Sequence, residues 1–288
     1  MRQTKPFIRI TAIFAAFMTV ALLCLAPVIA RAEDNSPIGV AVCIAKKSVN
    51  LRSEPSAKSS IVAKLPARAF VKVYAQSDKW YQVEYNGMMA WGDNSSLVFA
   101  ANPADSMTAE GTDRTYTLYY QGDSEWKFSR SVEKKACLMS SYAIVINNMG
   151  IPANPRFIYE SNRRNTSVKS SGLTTNFGVT PVCALGADSP YLSRFDGEKT
   201  YIADPKNNGL AAIKQAIDRN PEGVICYFKK GSKAHGIVAC KYDGDTIYFS
   251  DAGRDSGALL TFGDTWVSYK HRLTYANLNF VAALDPVA

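Results

Sequence analysis

The sequence predicts two folded parts, a small all-β barrel in residues 40–100 and a mixed α+β domain in residues 115–288. Three observations carry this. Short strand patterns separated by turn signals fill the first region. An apolar helix pattern from Ala136 to Met149 opens the core of the second. A hairpin pattern, AHGIVACKYDGDTIYFSDAG at 234–253, lies near its end. The chain has 288 residues, 47% of them hydrophobic, with no low-complexity tract, which suits two ordinary globular domains.

Residues 1–32 have the layout of an export signal. Arg2, Lys5 and Arg9 give a basic start, and Ile10 to Ala30 is almost wholly apolar. Ala30-Arg31-Ala32 then places small residues where a signal peptidase cuts, before Glu33. Left uncut, the same run is long enough to span a bilayer. Cys24 follows Leu23 rather than a small residue, which argues against lipid attachment. The whole chain carries a net charge of +8, and the segment holds four cations and no acids, so the mature protein is about +4. No arginine-rich or lysine-rich run supports a nucleic-acid partner. Weak attraction to an anionic wall or membrane surface is as much as this charge licenses.

Cys43, Cys137, Cys183, Cys226 and Cys240 remain after cleavage. An odd number in an exported protein leaves at least one thiol unpaired. There is no CxxC and no Cys/His cluster at zinc spacing, so neither a metal nor a cofactor is expected.

In the first part, Val49 to Arg52 reads as a strand before a Pro/Ser turn. Ser60–Pro66, Ala69–Tyr74, Lys79–Tyr85 and Met88–Gly92 follow, the last two joined by the hairpin turn Asn86-Gly87. Five short strands in this space suggest a small barrel. VNLRSEPS and WYQVEYNG resemble the opening and middle of the bacterial SH3-like domain, whose Gly-Trp close is here Ala90-Trp91-Gly92. The resemblance implies a non-catalytic module that binds cell-wall or other peptides. Residues 101–114 are rich in small polar residues without apolar period and read as a linker.

In the second part, Gly150 and Pro152 stop the apolar helix, and Cys137 falls in its first turn. Free N–H groups and the positive dipole end favour a thiolate there. His235 opens the hairpin and Asp251 ends its return strand. A two-residue Asp-Gly loop would set Asp251 opposite Gly236, on the wrong face for His235. A three-residue loop would set it opposite Ile237, diagonal to His235 on the same face and within reach of the imidazole. A His held by a carboxylate is the base half of a nucleophilic site.

The order Cys, His, carboxylate is that of papain-like enzymes. This half resembles the papain-like cysteine peptidases of the double-glycine leader (bacteriocin-processing) type, in particular their stand-alone exported relatives. The likeness rests on YYQGDSEW with ACLMSSYAIVINNMG, on NGLAAIKQAIDRNPEGVICYF at 208–228, and on the 234–253 hairpin. It departs at Leu138-Met139, where the family has Gly-Pro, and at Ala252, where it has Pro. By this resemblance Cys137 is the nucleophile and His235 the base. Asp251 orients His235, and Gln121 donates to the oxyanion beside the Cys137 backbone N–H.

Cys226 and Cys240 lie in strand patterns and are expected in the core, close to each other. Cys183 has no assignable place. His271, between Lys270 and Arg272, reads as part of a solvated basic patch. The expected function is that of an exported thiol peptidase, secreted or cell-wall associated, free of the membrane after signal removal. Its substrate would be a peptide or protein, including peptidoglycan stem or cross-bridge peptides. The alternatives are a peptidoglycan endopeptidase or amidase of another thiol class, and a non-catalytic wall-binding surface protein.

Overall fold

The computed structural model describes residues 36–100, 107–111, 113–162, 195–268 and 271–286. The expected export signal, Cys24 and Cys183 lie outside the described residues.

The first part is an antiparallel sheet of seven strands: β1 (Gly39–Cys43), β2 (Ser48–Arg52), β3 (Ile61–Pro66), β4 (Phe70–Ser77), β5 (Trp80–Tyr85), β6 (Met88–Asp93) and β7 (Leu97–Phe99). Their order is β3-β2-β6-β5-β4-β1-β7. Val49, Leu51, Leu65, Val71, Val73 and Val83 alternate inward along their strands and fill one core. Asn86 and Gly87 both take positive φ, +52° and +73°, the backbone that a tight two-residue hairpin demands. Two strands, β1 and β7, go beyond the five that were expected. β1 escapes a period-two reading because it is buried on both faces. Ala41 and Cys43 face the barrel core, while Val40 and Val42 join a second core shared with the rest of the chain.

That second core ties the barrel to the α+β part, and residues 37–288 form one compact unit. The expected linker contains β8 (Met107–Glu110), which pairs with β9 (Thr115–Leu118). Helix α1 (Cys137–Asn148) is buried from Leu138 to Ile146, apolar nearly all round, as a helix enclosed on every side must be. It ends in a Schellman turn. Gly150 at φ +78° sends its N–H to Asn147 O at 2.9 Å, and Ile151 N reaches Ile146 O at 3.2 Å. Helix α2 (Pro155–Asn162) packs on β1 and β7. Its first turn is capped by Asn154, whose Oδ1 accepts from Phe157 N at 2.8 Å while its Nδ2 donates to Phe99 O at 2.9 Å. Phe157, fully buried, meets Phe70 edge-on with ring centroids 6.1 Å apart. Replacing Phe157 with Ala is expected to cost about 3–5 kcal/mol and to lower a single melting transition of the whole 37–288 unit. Calorimetry showing the barrel melting separately and unshifted would contradict the shared core.

The remaining strands are β10 (Phe195–Tyr201), β11 (Val224–Lys230), β12 (Lys233–Asp243), β13 (Thr246–Ser250), β14 (Trp266–Ser268), β15 (His271–Arg272) and β16 (Leu278–Pro286). Five of them make an antiparallel sheet, β10-β16-β11-β12-β13. Helix α1 covers one face, over Ile225, Val238, Cys240 and Ala282. Helix α3 (Pro205–Arg219) covers the other, where Ile213 and Ile217 meet Cys226, Phe228, Ile237 and Val281. Alternation therefore puts Cys226 and Cys240 in the core on opposite faces, both as free thiols, rather than side by side. His271 lies in the short strand β15.

Candidate active site

Three segments converge where α1 begins. The hairpin β12–β13 turns through two residues, Gly244 and Asp245, with Asp243 paired to Thr246. Gly244 takes the first loop position at φ +52°. Alone, that turn would carry Asp251 opposite Val238. A bulge at Cys240 shifts the register by one, so that Val238 pairs with Ser250 and the continuing chain sets Asp251 opposite Ile237. The position is the one a three-residue loop would have produced, reached through a two-residue turn and a bulge.

The result is a contact of 2.6 Å between His235 Nε2 and Asp251 Oδ1. Both residues are buried, His235 at 7% exposure and Asp251 at 4%. Oδ1 of Asp251 also accepts the Gly253 N–H at 2.8 Å, which fixes the carboxylate against the strand end. Gly253 itself must be small here. A Cβ would lie 2.8 Å from His235 Cε1 and 3.1 Å from Asp251 Oδ1.

With Nε2 engaged, Nδ1 is the ring nitrogen left for Cys137, whose thiol lies close enough to the His235 side chain for each to shift the other's titration. Gly236 explains the close approach of helix and strand, since a Cβ there would sit 3.1 Å from Leu138 Cδ1 and 3.3 Å from its Cα. Leu138 thus packs downward on Gly236 and leaves the sulphur of the preceding residue beside the imidazole. The Gly236 backbone also hydrogen-bonds the sulphur.

The electrostatics of the pair are reciprocal. Burial pushes the Cys137 thiol up, but the hydrogen bond and charge of His235 outweigh it and hold the thiol below its ordinary 9.0. Burial alone would depress His235. The carboxylate of Asp251 and the Cys137 sulphur reverse this and hold the imidazole well above 6.5. The arrangement favours a thiolate–imidazolium pair. By contrast, Cys240 is pushed up to about 12 by burial, and the Cys226 and Cys43 thiols are raised for the same reason.

Gln121 sits in a rigid loop that explains its sequence neighbours. Asp123 caps the next turn through Glu125 N at 2.9 Å, and Trp126 Nε1 donates to Tyr120 O at 2.7 Å. Gln121 N donates to Ala252 O at 2.8 Å, which ties the loop to the residue after Asp251. Its side-chain Nε2, however, donates to Glu133 O at 2.8 Å, so one of its two N–H groups is already engaged. Tyr227, which the sequence reading passed over, also lies close enough to Cys137 to feel its charge.

Residues 47–98 match the family model of the bacterial SH3 domain. The chain carries a bacterial SH3 domain. It is also 25% identical over 255 residues to the Bacillus subtilis (strain 168) protein named "Putative N-acetylmuramoyl-L-alanine amidase YrvJ", a match covering 84% of this chain and 45% of that one. The chain therefore spans less than half the length of that relative. Among solved structures, "Structure of NlpC2 from Trichomonas vaginalis" overlaps 77% of this chain and 70% of that one, at 13% identity and a TM-score of 0.19. At that score the overlap fixes no fold.

Proposed function

We propose that this protein is an exported, cell-wall-associated hydrolase that cleaves an amide bond of peptidoglycan by thiol catalysis. The observation that carries the reading is the buried His235–Asp251 contact of 2.6 Å, with the Cys137 thiol near enough to the same ring to shift its titration. A bacterial SH3 domain in the same chain and the relative named as an amidase support the wall as its place of work. The domain division proposed is a signal at 1–32, the barrel at 40–100 and a papain-like catalytic part at 115–288.

Cys137, as thiolate, attacks the amide carbonyl. The free N–H groups of the first turn of α1, with the remaining N–H of Gln121, stabilise the oxyanion. Protonated His235 gives its proton to the leaving amine, and the amine departs as the thioester forms. The neutral imidazole then takes a proton from water, which attacks the thioester and releases Cys137. Asp251 keeps the ring oriented through both halves of the cycle.

Purified sacculi incubated with the protein test this. The expected products are soluble muropeptides carrying one new amine and one new carboxylate per cleavage, located by mass spectrometry. Intact sacculi with bound protein would instead identify a wall binder.

A further inference from the structure

Strand register sets Tyr201, Phe280, Tyr227 and Gly236 opposite one another across β10, β16, β11 and β12. Residues directly paired across strands share a face of the sheet. That face is the one carrying α1, because the missing Cβ of Gly236 points at Leu138. Tyr227 is therefore the last side chain of an aromatic row before the helix that begins with Cys137.

Its ring is held stiffly. It lies flat on Phe280, with centroids 4.9 Å apart and planes 15° from parallel. Phe280 is braced in turn by Tyr201, edge-on at 6.1 Å. Tyr227 is half-buried at the margin of the α1 core. Its hydroxyl has no hydrogen-bond partner among the described residues. Burial, and then the negative charge of the Cys137 sulphur, raise that hydroxyl above its ordinary 10.0, so it stays protonated and able to donate.

His235 precedes Gly236 in β12, and its ring meets the Cys137 thiol at the start of α1, the helix on the face that Tyr227 shares. Protonated His235 serves the leaving amine, which leaves Tyr227, a neighbour of the same thiol, to the acyl portion. We propose that Tyr227 contacts the substrate directly, donating its hydroxyl to a carbonyl oxygen of the peptide segment on the acyl side of the scissile bond. The substrate class is thus a peptide whose backbone runs past the Tyr227 ring. This rests on Cys137 being the nucleophile.

Tyr227→Phe removes one oxygen and leaves the ring on Phe280. The expected result is a fall of roughly tenfold in kcat/KM on soluble muropeptides, with alkylation of Cys137 by iodoacetamide changed by less than about twofold. Unchanged kcat/KM would overturn the proposal. So would a loss of alkylation in step with turnover, since Tyr227 would then act through the thiol rather than on the substrate. A Cys137→Ala control separates the two levels. Turnover surviving in that variant sinks the nucleophile assignment and this inference together, whereas a dead Cys137→Ala beside an unaffected Tyr227→Phe sinks only the contact to Tyr227.

Discussion

Replacing Cys137 with Ala is expected to lower sacculus hydrolysis on the order of 10⁴-fold or more, while the protein keeps its fold and its attachment to the wall. The size follows from the role. Without a nucleophile there is no covalent step to divide the reaction, and the oxyanion donors and the bound geometry supply what remains. The fold survives because Cys137 lies at the first turn of α1, only partly enclosed, and Ala is the best helix former. Under the proposed function the barrel carries wall attachment, and it keeps its own core, built from Val49, Leu51, Leu65 and Val83. Release of soluble muropeptides, measured beside co-sedimentation with sacculi, reads both. Full hydrolysis by the variant would exclude Cys137 as nucleophile. Loss of sedimentation together with hydrolysis would mean that the substitution had unfolded the protein.

Asp251→Ala is the second large effect expected. His235 is buried, and burial by itself disfavours its charged form. With the carboxylate gone, the ring loses the hydrogen bond of 2.6 Å and the charge that keep it protonated. A neutral imidazole no longer lowers the Cys137 thiol. Both the thiolate fraction and the acid for the leaving amine fall, and kcat drops on the order of 10²–10⁴-fold. The sign with pH follows. Because the folded value of His235 is raised, its contribution to stability is fully present below 6.5 and is lost as pH rises through the folded value. The wild type is therefore expected to exceed Asp251→Ala in stability most at acid pH, with the gap narrowing toward the alkaline side. Denaturant melts across this range check it, and a gap that widens with pH would contradict the assignment.

The placement of the candidate residues was partly legible in the sequence because its signals are local. A helix start at Cys137, turn chemistry at Asp243-Gly244-Asp245 and a return strand ending in Asp251 can each be read within a few residues. The register was legible only as a choice, because the bulge at Cys240 leaves no signature in an apolar strand. The role of Gly236 was hidden for a different reason. Its need to be small depends on Leu138, nearly a hundred residues earlier, pressing on it across the helix–sheet interface. Tyr227 was missed because its place depends on which strands flank β11, a matter of topology rather than composition. The barrel strands with one buried face were plain, whereas β1, buried on both, carried no alternation to read. The docking of α2 on β1 and β7 likewise comes from long-range packing, and so does the pairing of β8, within the expected linker, with β9.

The proposed ion pair between Cys137 and His235 is tested most directly by the pH dependence of Cys137 alkylation, in the wild type and in His235→Ala, each corrected by a Cys137→Ala blank. The expected wild-type profile reacts through neutral pH and loses reactivity only on the acid side, below the ordinary thiol value of 9.0. In His235→Ala, burial is unopposed, and the limb is expected to move up to 9.0 or beyond. Coincident limbs near 9.0 in both proteins would contradict the thiolate–imidazolium pair.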